Sequence, residues 1–153
     1  MVSNIESVKI AIGSDHRGFV LKELIKEHLK DGDYEWCDVG SSSEVRVDYP
    51  DFAMEVAVLV MTEECPRGIL ICGSGIGMSI VANRYRGVRA ALCTTEKMAE
   101  LSRRHNDANV LCLGAEMQPP EEALQILDVW LKTEFEGGRH EIRLEKIRRM
   151  EEL

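Results

Sequence analysis

The stretch Ile69-Leu70-Ile71-Cys72-Gly73-Ser74-Gly75-Ile76-Gly77-Met78-Ser79 decides how the rest of the chain is read. An apolar run of strand type ends in a cysteine. Glycines follow at alternate positions, and a helix-forming segment begins at about Met78. A strand that enters a helix through such a turn brings a thiol and a row of backbone N–H groups to one point. Helix N-termini and glycine-rich turns turn positive dipole toward an anion. A thiol beside an anion hole reads as a nucleophile or a proton-transfer base.

Working outward, four more short apolar runs read as strands: Val8–Ile12, Tyr34–Val39, Arg89–Leu92 and Val110–Leu113, with Gly68–Ile71 as the third in chain order. Helical spacing lies between them. Phe19, Leu21, Leu24, Ile25 and Leu29 form one pattern, which stops before Asp31-Gly32-Asp33. Phe52, Val56, Leu59 and Val60 mark a second helix from about Asp51. Met98, Leu101 and His105 share a face of a fourth, which Thr94 or Thr95 can cap. A fifth, carrying Leu124, Leu127, Val129 and Leu131, follows Pro119-Pro120. This alternation predicts a three-layer, doubly wound α/β fold, with a five-stranded parallel sheet and helices on both faces. The expected domain is single, over residues 1–153. The charged segment Arg139–Leu153 adds a C-terminal helix with one thin apolar stripe, Leu144, Ile147 and Met150. So polar a helix has little to bury alone, which points to a partner subunit.

In such folds ligands bind beyond the carboxyl ends of the strands. A dinucleotide site is disfavoured here: the glycines are spaced GxGxG, and the next strand ends Ala91-Leu92-Cys93-Thr94 without a carboxylate. Cys72 is either a small packing residue or a functional thiol, and its place before a helix N-terminus favours the second. Asp15, His16 and Arg17 follow the first strand, on the same rim. They read as a helix cap and surface residues, or as groups that recognise a hydroxylated anion. His105 reads as a core-facing or C-capping histidine, or as a proton carrier. Arg139 and Arg143 lie four apart on one helix face, suited either to solvent or to a phosphate held between them.

Composition excludes several classes. The 153 residues are 44 % hydrophobic and 30 % charged, an ordinary globular balance. A net charge of −8 argues against a nucleic-acid surface. No apolar stretch approaches the roughly 20 residues of a membrane span, and no secretory leader is evident. The five cysteines are scattered and show no CxxC, which fits free thiols in a reducing cytoplasm and neither a disulfide framework nor a zinc site.

Taken together, Gly13-Ser-Asp-His-Arg-Gly, Val47-Asp-Tyr-Pro, Gly68-Ile-Leu-Ile-Cys-Gly-Ser-Gly-Ile-Gly, Leu101-Ser-Arg-Arg-His-Asn-Asp and Glu136-Gly-Gly-Arg-His resemble ribose-5-phosphate isomerase type B. That wider family also holds galactose-6-phosphate and allose-6-phosphate isomerases. The motifs stand in family order from about residue 8 to residue 148. The resemblance implies interconversion of ribose 5-phosphate and ribulose 5-phosphate, in the non-oxidative pentose phosphate pathway, with no metal and no cofactor. A hexose 6-phosphate isomerase is the alternative within the family, and a non-catalytic anion-binding module the alternative outside it. By position, Cys72 would be the base and Ser74 a proton shuttle, while His105 would open the sugar ring with Asn106. Backbone groups of Gly73, Gly75, Ile76 and Gly77 would hold an enediolate oxygen. His16, Arg139 and Arg143 would bind phosphate, and Asp15 and Tyr49 sugar hydroxyls. A homodimer or homotetramer with its site across the subunit interface is implied. Two positions depart from the family pattern. Ser74 stands where many members carry threonine, and Glu116 lies near a frequent arginine, so Glu116 is expected to turn away from the phosphate.

Overall fold

A computed structural model describes residues 6–153. Its parallel sheet comprises β1 (Val8–Ser14), β2 (Tyr34–Gly40), β3 (Arg67–Cys72), β4 (Ala90–Leu92) and β5 (Val110–Gly114), in the order β2-β1-β3-β5-β4. The helices are α1 (Phe19–His28), α2 (Tyr49–Met61), α3 (Ile76–Ala82), α4 (Glu96–Asn106), α5 (Pro120–Lys132) and α6 (Arg139–Met150). The doubly wound architecture agrees with the sequence reading.

The central strands are apolar throughout because both faces are covered. Their alternation sorts the side chains. Ile10, Ile12, Ile69, Ile71, Leu111 and Leu113 pack with Leu21, Ile25, Ala99, Ile126 and Trp130 of α1, α4 and α5. Ala11, Leu70, Cys72, Val110 and Cys112 pack with Ala53, Val56, Ala57, Val60, Met78 and Ala82 of α2 and α3. The thiol of Cys72 therefore belongs to the α2/α3 side of the sheet.

Two helices begin earlier than their patterns suggest. Pro50 sits in the first turn of α2, which starts at Tyr49, and α3 starts at Ile76. Thr95 caps α4, its side chain accepting from the Met98 amide at 3.1 Å. The face of α4 that meets the core is not the expected one. Ala99, Ser102 and Arg103 are buried, whereas Met98 lies in solvent. Small residues let α4 approach the sheet closely. Arg103 is tolerated inside because it donates to Thr133 O and Ala108 O, pairs with Asp107 at 2.9 Å, and lies 5.8 Å from the centre of the Trp130 ring. The stripe on α6 is only partly unpartnered: Leu144 is buried, while Ile147 and Met150 are exposed.

Register brings the functional loops together. Ser14 pairs with Ile71 and Cys72 with Gly114, so β1, β3 and β5 end side by side. The segments after Ser14, Cys72 and Gly114 therefore open onto one edge of the sheet, where the winding reverses.

Candidate active site

That edge carries a cleft of about 790 Å³. Asp15, His16 and Arg17 line it from β1, Cys72, Gly73, Ser74, Ile76 and Gly77 from β3 and α3, and Tyr49 from α2.

Cys72 is 5 % exposed, and its Sγ accepts a hydrogen bond from the Gly75 amide at 3.1 Å. The turn that aims this amide needs φ of +78° at residue 75, which glycine adopts without strain. Cys72 is the one cysteine of the five that lines the cleft. Burial pushes the Cys93 thiol up to about 11, and burial followed by a hydrogen bond with Cys37 does the same for Cys65. Burial pushes Cys112 higher still.

The expected row of amides is shorter than the glycine pattern implies. Gly75 N–H is taken by the thiol, and Ile76 N–H donates to Ser74 Oγ at 3.2 Å. Both are committed within the turn, which leaves the amides of Gly73, Ser74 and Gly77. The amide of Gly77, in the first turn of α3, has no acceptor within its helix. Gly77 has a second role. A Cβ there would lie 2.5 Å from Tyr49 Cζ, so glycine lets the tyrosine ring close over the start of α3.

Asp15 is both a loop brace and a cleft residue. Its Oδ1 accepts from the amides of Arg17 at 2.9 Å and Gly18 at 3.0 Å, and Oδ2 has no protein hydrogen bond among the described residues. His16 Nδ1 lies 3.2 Å from both the amide nitrogen and the carbonyl oxygen of Val47, so it accepts from the one or donates to the other according to its tautomer. The loop after β2 is thereby tied to β1, and it adds Arg46 and Asp48 to the wall.

Glu116 does not turn away. It lines the cleft and pairs with Arg17 at 3.5 Å, both side chains closing over Gly73. The expectation fails because Gly114 pairs with Cys72, which delivers residues 115–117 directly beside the thiol turn. Sequence reasoning singled out neither Arg46 nor Asp48. Their adjacency to the Val47-Asp48-Tyr49-Pro50 motif was the available signal.

The other candidates assemble elsewhere. His105, Asn106, Arg139 and Arg143 do not line this cleft. His105, at the end of α4, stacks on His140 of α6 with centroids 4.2 Å apart and planes 13° from parallel. It is not the C-cap, which is Asp107. Glu136 sits beside both rings and pairs with Arg104 at 3.1 Å. Burial, and then the charge of His105, hold the His140 imidazole below the usual 6.5. Arg139 and Arg143 are exposed on α6 and form no ion pair among the described residues.

Residues 10–147 match the family model described as Ribose/Galactose Isomerase. Ribose-5-phosphate isomerase B of Escherichia coli (strain K12) is 47 % identical over 144 residues, which cover 94 % of this chain and 97 % of that one. Ribose-5-phosphate isomerase B of Clostridium thermocellum superposes with a TM-score of 0.92 at 52 % identity, covering 95 % of this chain and 98 % of that one. Ribose-5-phosphate isomerase B of Mycoplasma genitalium, solved with bound ribulose-5-phosphate, superposes with a TM-score of 0.91 at 46 % identity, covering 95 % and 97 %. The protein is an isomerase, and the chain belongs to the ribose/galactose isomerase family.

Proposed function

We propose that this isomerase interconverts D-ribose 5-phosphate and D-ribulose 5-phosphate, with Cys72 as the base. The reading rests on one observation above the others: a single thiol lines the cleft and is held by the Gly75 amide beside the start of α3. The cysteine takes the C2 proton of the open-chain aldose. The C2–H electron pair becomes the C1–C2 double bond, and the carbonyl oxygen gains the negative charge. Returning the proton to C1, while the O2 hydroxyl proton passes to O1, gives the ketose with no net redox change. Ser74 suits that oxygen-to-oxygen transfer. A hydrogen-bond donor aimed at the enediolate contributes about 3 kcal/mol in comparable oxyanion sites, and the amides of Gly73, Ser74 and Gly77 are suited to supply it. Asp15 and Tyr49 take sugar hydroxyls, and His16 takes phosphate in this reading.

Ring opening by His105 with Asn106, and phosphate binding by Arg139 and Arg143, require those residues in a cleft that their own chain does not bring them to. A second copy supplies them in this reading, in a dimer or a tetramer built from dimers. Ile76 and Ile80 support it: both are more than half exposed and line the cleft, an apolar edge suited to subunit contact.

The test is turnover by Cys72→Ala. It is expected to lose about 10³-fold or more in kcat while still binding ribose 5-phosphate. A variant that matches the parent rate overturns the base assignment. Comparing the parent on ribose, allose and galactose phosphates separates the pentose from the hexose reading.

A further inference from the structure

Glu136 lies beside two stacked imidazoles without a good hydrogen bond to either. One carboxylate oxygen is 4.0 Å from His105 Nε2 and the other 3.9 Å from His140 Nε2. Both distances exceed hydrogen-bond range. His140 is buried, and its Nε2 has no hydrogen-bond partner among the described residues. Buried polar atoms are nearly always satisfied, so an orphan of this kind calls for an explanation. One ligand atom from each residue lies within 4.8 Å of the other two.

We propose that His105, Glu136 and His140 form a site for a divalent transition metal of the zinc class, and that metal bound there inhibits the enzyme. Two imidazoles and a carboxylate are the three-ligand set that leaves zinc a fourth position for water. Bonds of about 2.0–2.1 Å in a tetrahedron put ligand atoms roughly 3.3 Å apart, so the cluster must close by up to about 1.5 Å. His140 is the fixed member. The side chains of His105 and Glu136 are 37 % and 41 % exposed, and they are free to tilt. The His105 ring must rotate out of its stack, since nearly parallel rings do not aim their lone pairs at one point. Arg104, which pairs with Glu136, and the nearby Arg139 and Arg143 oppose a dication. The site is therefore one of moderate affinity, loaded and emptied as metal rises and falls. Metal occupancy takes the lone pair that His105 needs for proton transfer. That inhibitory half rests on the role given to His105 above, whereas binding does not.

The test is a titration of chelator-treated, full-length protein with Co²⁺. The visible d–d absorption of tetrahedral cobalt is expected, bleached by Zn²⁺. Glu136→Gln and His140→Asn each weaken binding about tenfold or more, while Cys72→Ala keeps the spectrum. Circular dichroism checks the fold of His140→Asn, and the exposed Glu136→Gln stands as evidence if that variant unfolds. In metal-free buffer Glu136→Gln turns over substrate like the parent, and it resists Zn²⁺. Absence of the cobalt spectrum, its survival in both ligand variants, or its loss in Cys72→Ala overturns the site. Zinc that binds as described without slowing turnover leaves the site standing and sinks the assignment of His105.

Discussion

The amide of Gly75 donates to Sγ of Cys72 across 3.1 Å, closing the turn between β3 and α3 on the thiol itself. Backbone geometry maintains this contact, so a side chain at residue 75 disturbs it. An added Cβ lies 2.6 Å from Leu92 Cδ1 and 2.9 Å from the Leu113 carbonyl carbon, at a φ that L residues resist. Gly75→Ala is expected to cost about 1–3 kcal/mol of stability. At temperatures where the variant is fully folded, its kcat should still fall at least tenfold. Urea titration alongside steady-state kinetics checks both. A stability loss with kcat intact means the amide does not matter to the chemistry.

Glu116 brings negative charge into a cleft assigned to a phosphate ester. Its pair with Arg17 is more than half exposed on both sides, so removing it should change stability by no more than about 1 kcal/mol. Glu116→Ala is expected to lower KM for ribose 5-phosphate several-fold, with the gain shrinking as salt is raised. An unchanged KM at low salt removes Glu116 from substrate binding.

Subunit mixing tests where the second half of the site comes from. Cys72→Ala and His105→Asn are each expected to be nearly inactive. Mixed dimers hold one intact site if His105 crosses to the partner. Reassociating equal amounts should then restore about a quarter of the parent rate, because half of the dimers are mixed. No recovery, with subunit exchange verified, places both residues in one chain's site.

Asp38 ties β2 to α1. Its Oδ2 accepts from Lys22 at 2.6 Å and Lys26 at 2.9 Å, and Oδ1 accepts from Gly40 at 2.9 Å. Burial alone would raise its carboxyl, but the bonds from Lys22 and Lys26 outweigh it and hold the group below the ordinary 3.8. The folded form thus binds this proton less readily than the unfolded form. The contribution is complete above about pH 4 and disappears as pH falls through the folded value. The same contact raises Lys26 above 10.5, so its share lasts until the pH climbs past that. Asp38→Asn should cost about 1–3 kcal/mol at neutral pH, because Lys22 is 2 % exposed and loses its main anion. Denaturation from pH 7 down to pH 3 should show the gap to the parent closing only at the acid end.

The sheet and its helices were legible because alternation and helical spacing survive in short windows. The run from Ile69 to Cys72 reads as a buried strand in the sequence and is one. Reading the face of α4 failed for a definite reason. The pattern weighted Met98 and Leu101, whereas small Ala99 and Ser102 set the approach to the sheet, and Arg103 is sheltered by Trp130 and three carbonyl or carboxylate acceptors. Hydrophobicity alone carries no signal for a buried arginine satisfied by Asp107 and Ala108 just past its own helix and by Thr133 and Trp130 from α5 and its end.

The sequence by itself determined that a thiol stands at a strand end before a glycine turn, with Asp15 and His16 on the same edge. Those are local facts of chain order and periodicity. Only the tertiary structure decided which amides remain free, that Glu116 enters the cleft, and that His105 stacks on His140 beside Glu136, away from Cys72, with Arg139 and Arg143 exposed on α6. The reason is that these depend on strand order and register. Pairing of Cys72 with Gly114 brings together loops about forty residues apart, and no local pattern encodes that pairing. The tertiary structure also gives Cys72 its partner, the Gly75 amide, which closes the glycine-rich turn on the thiol proposed here as the base.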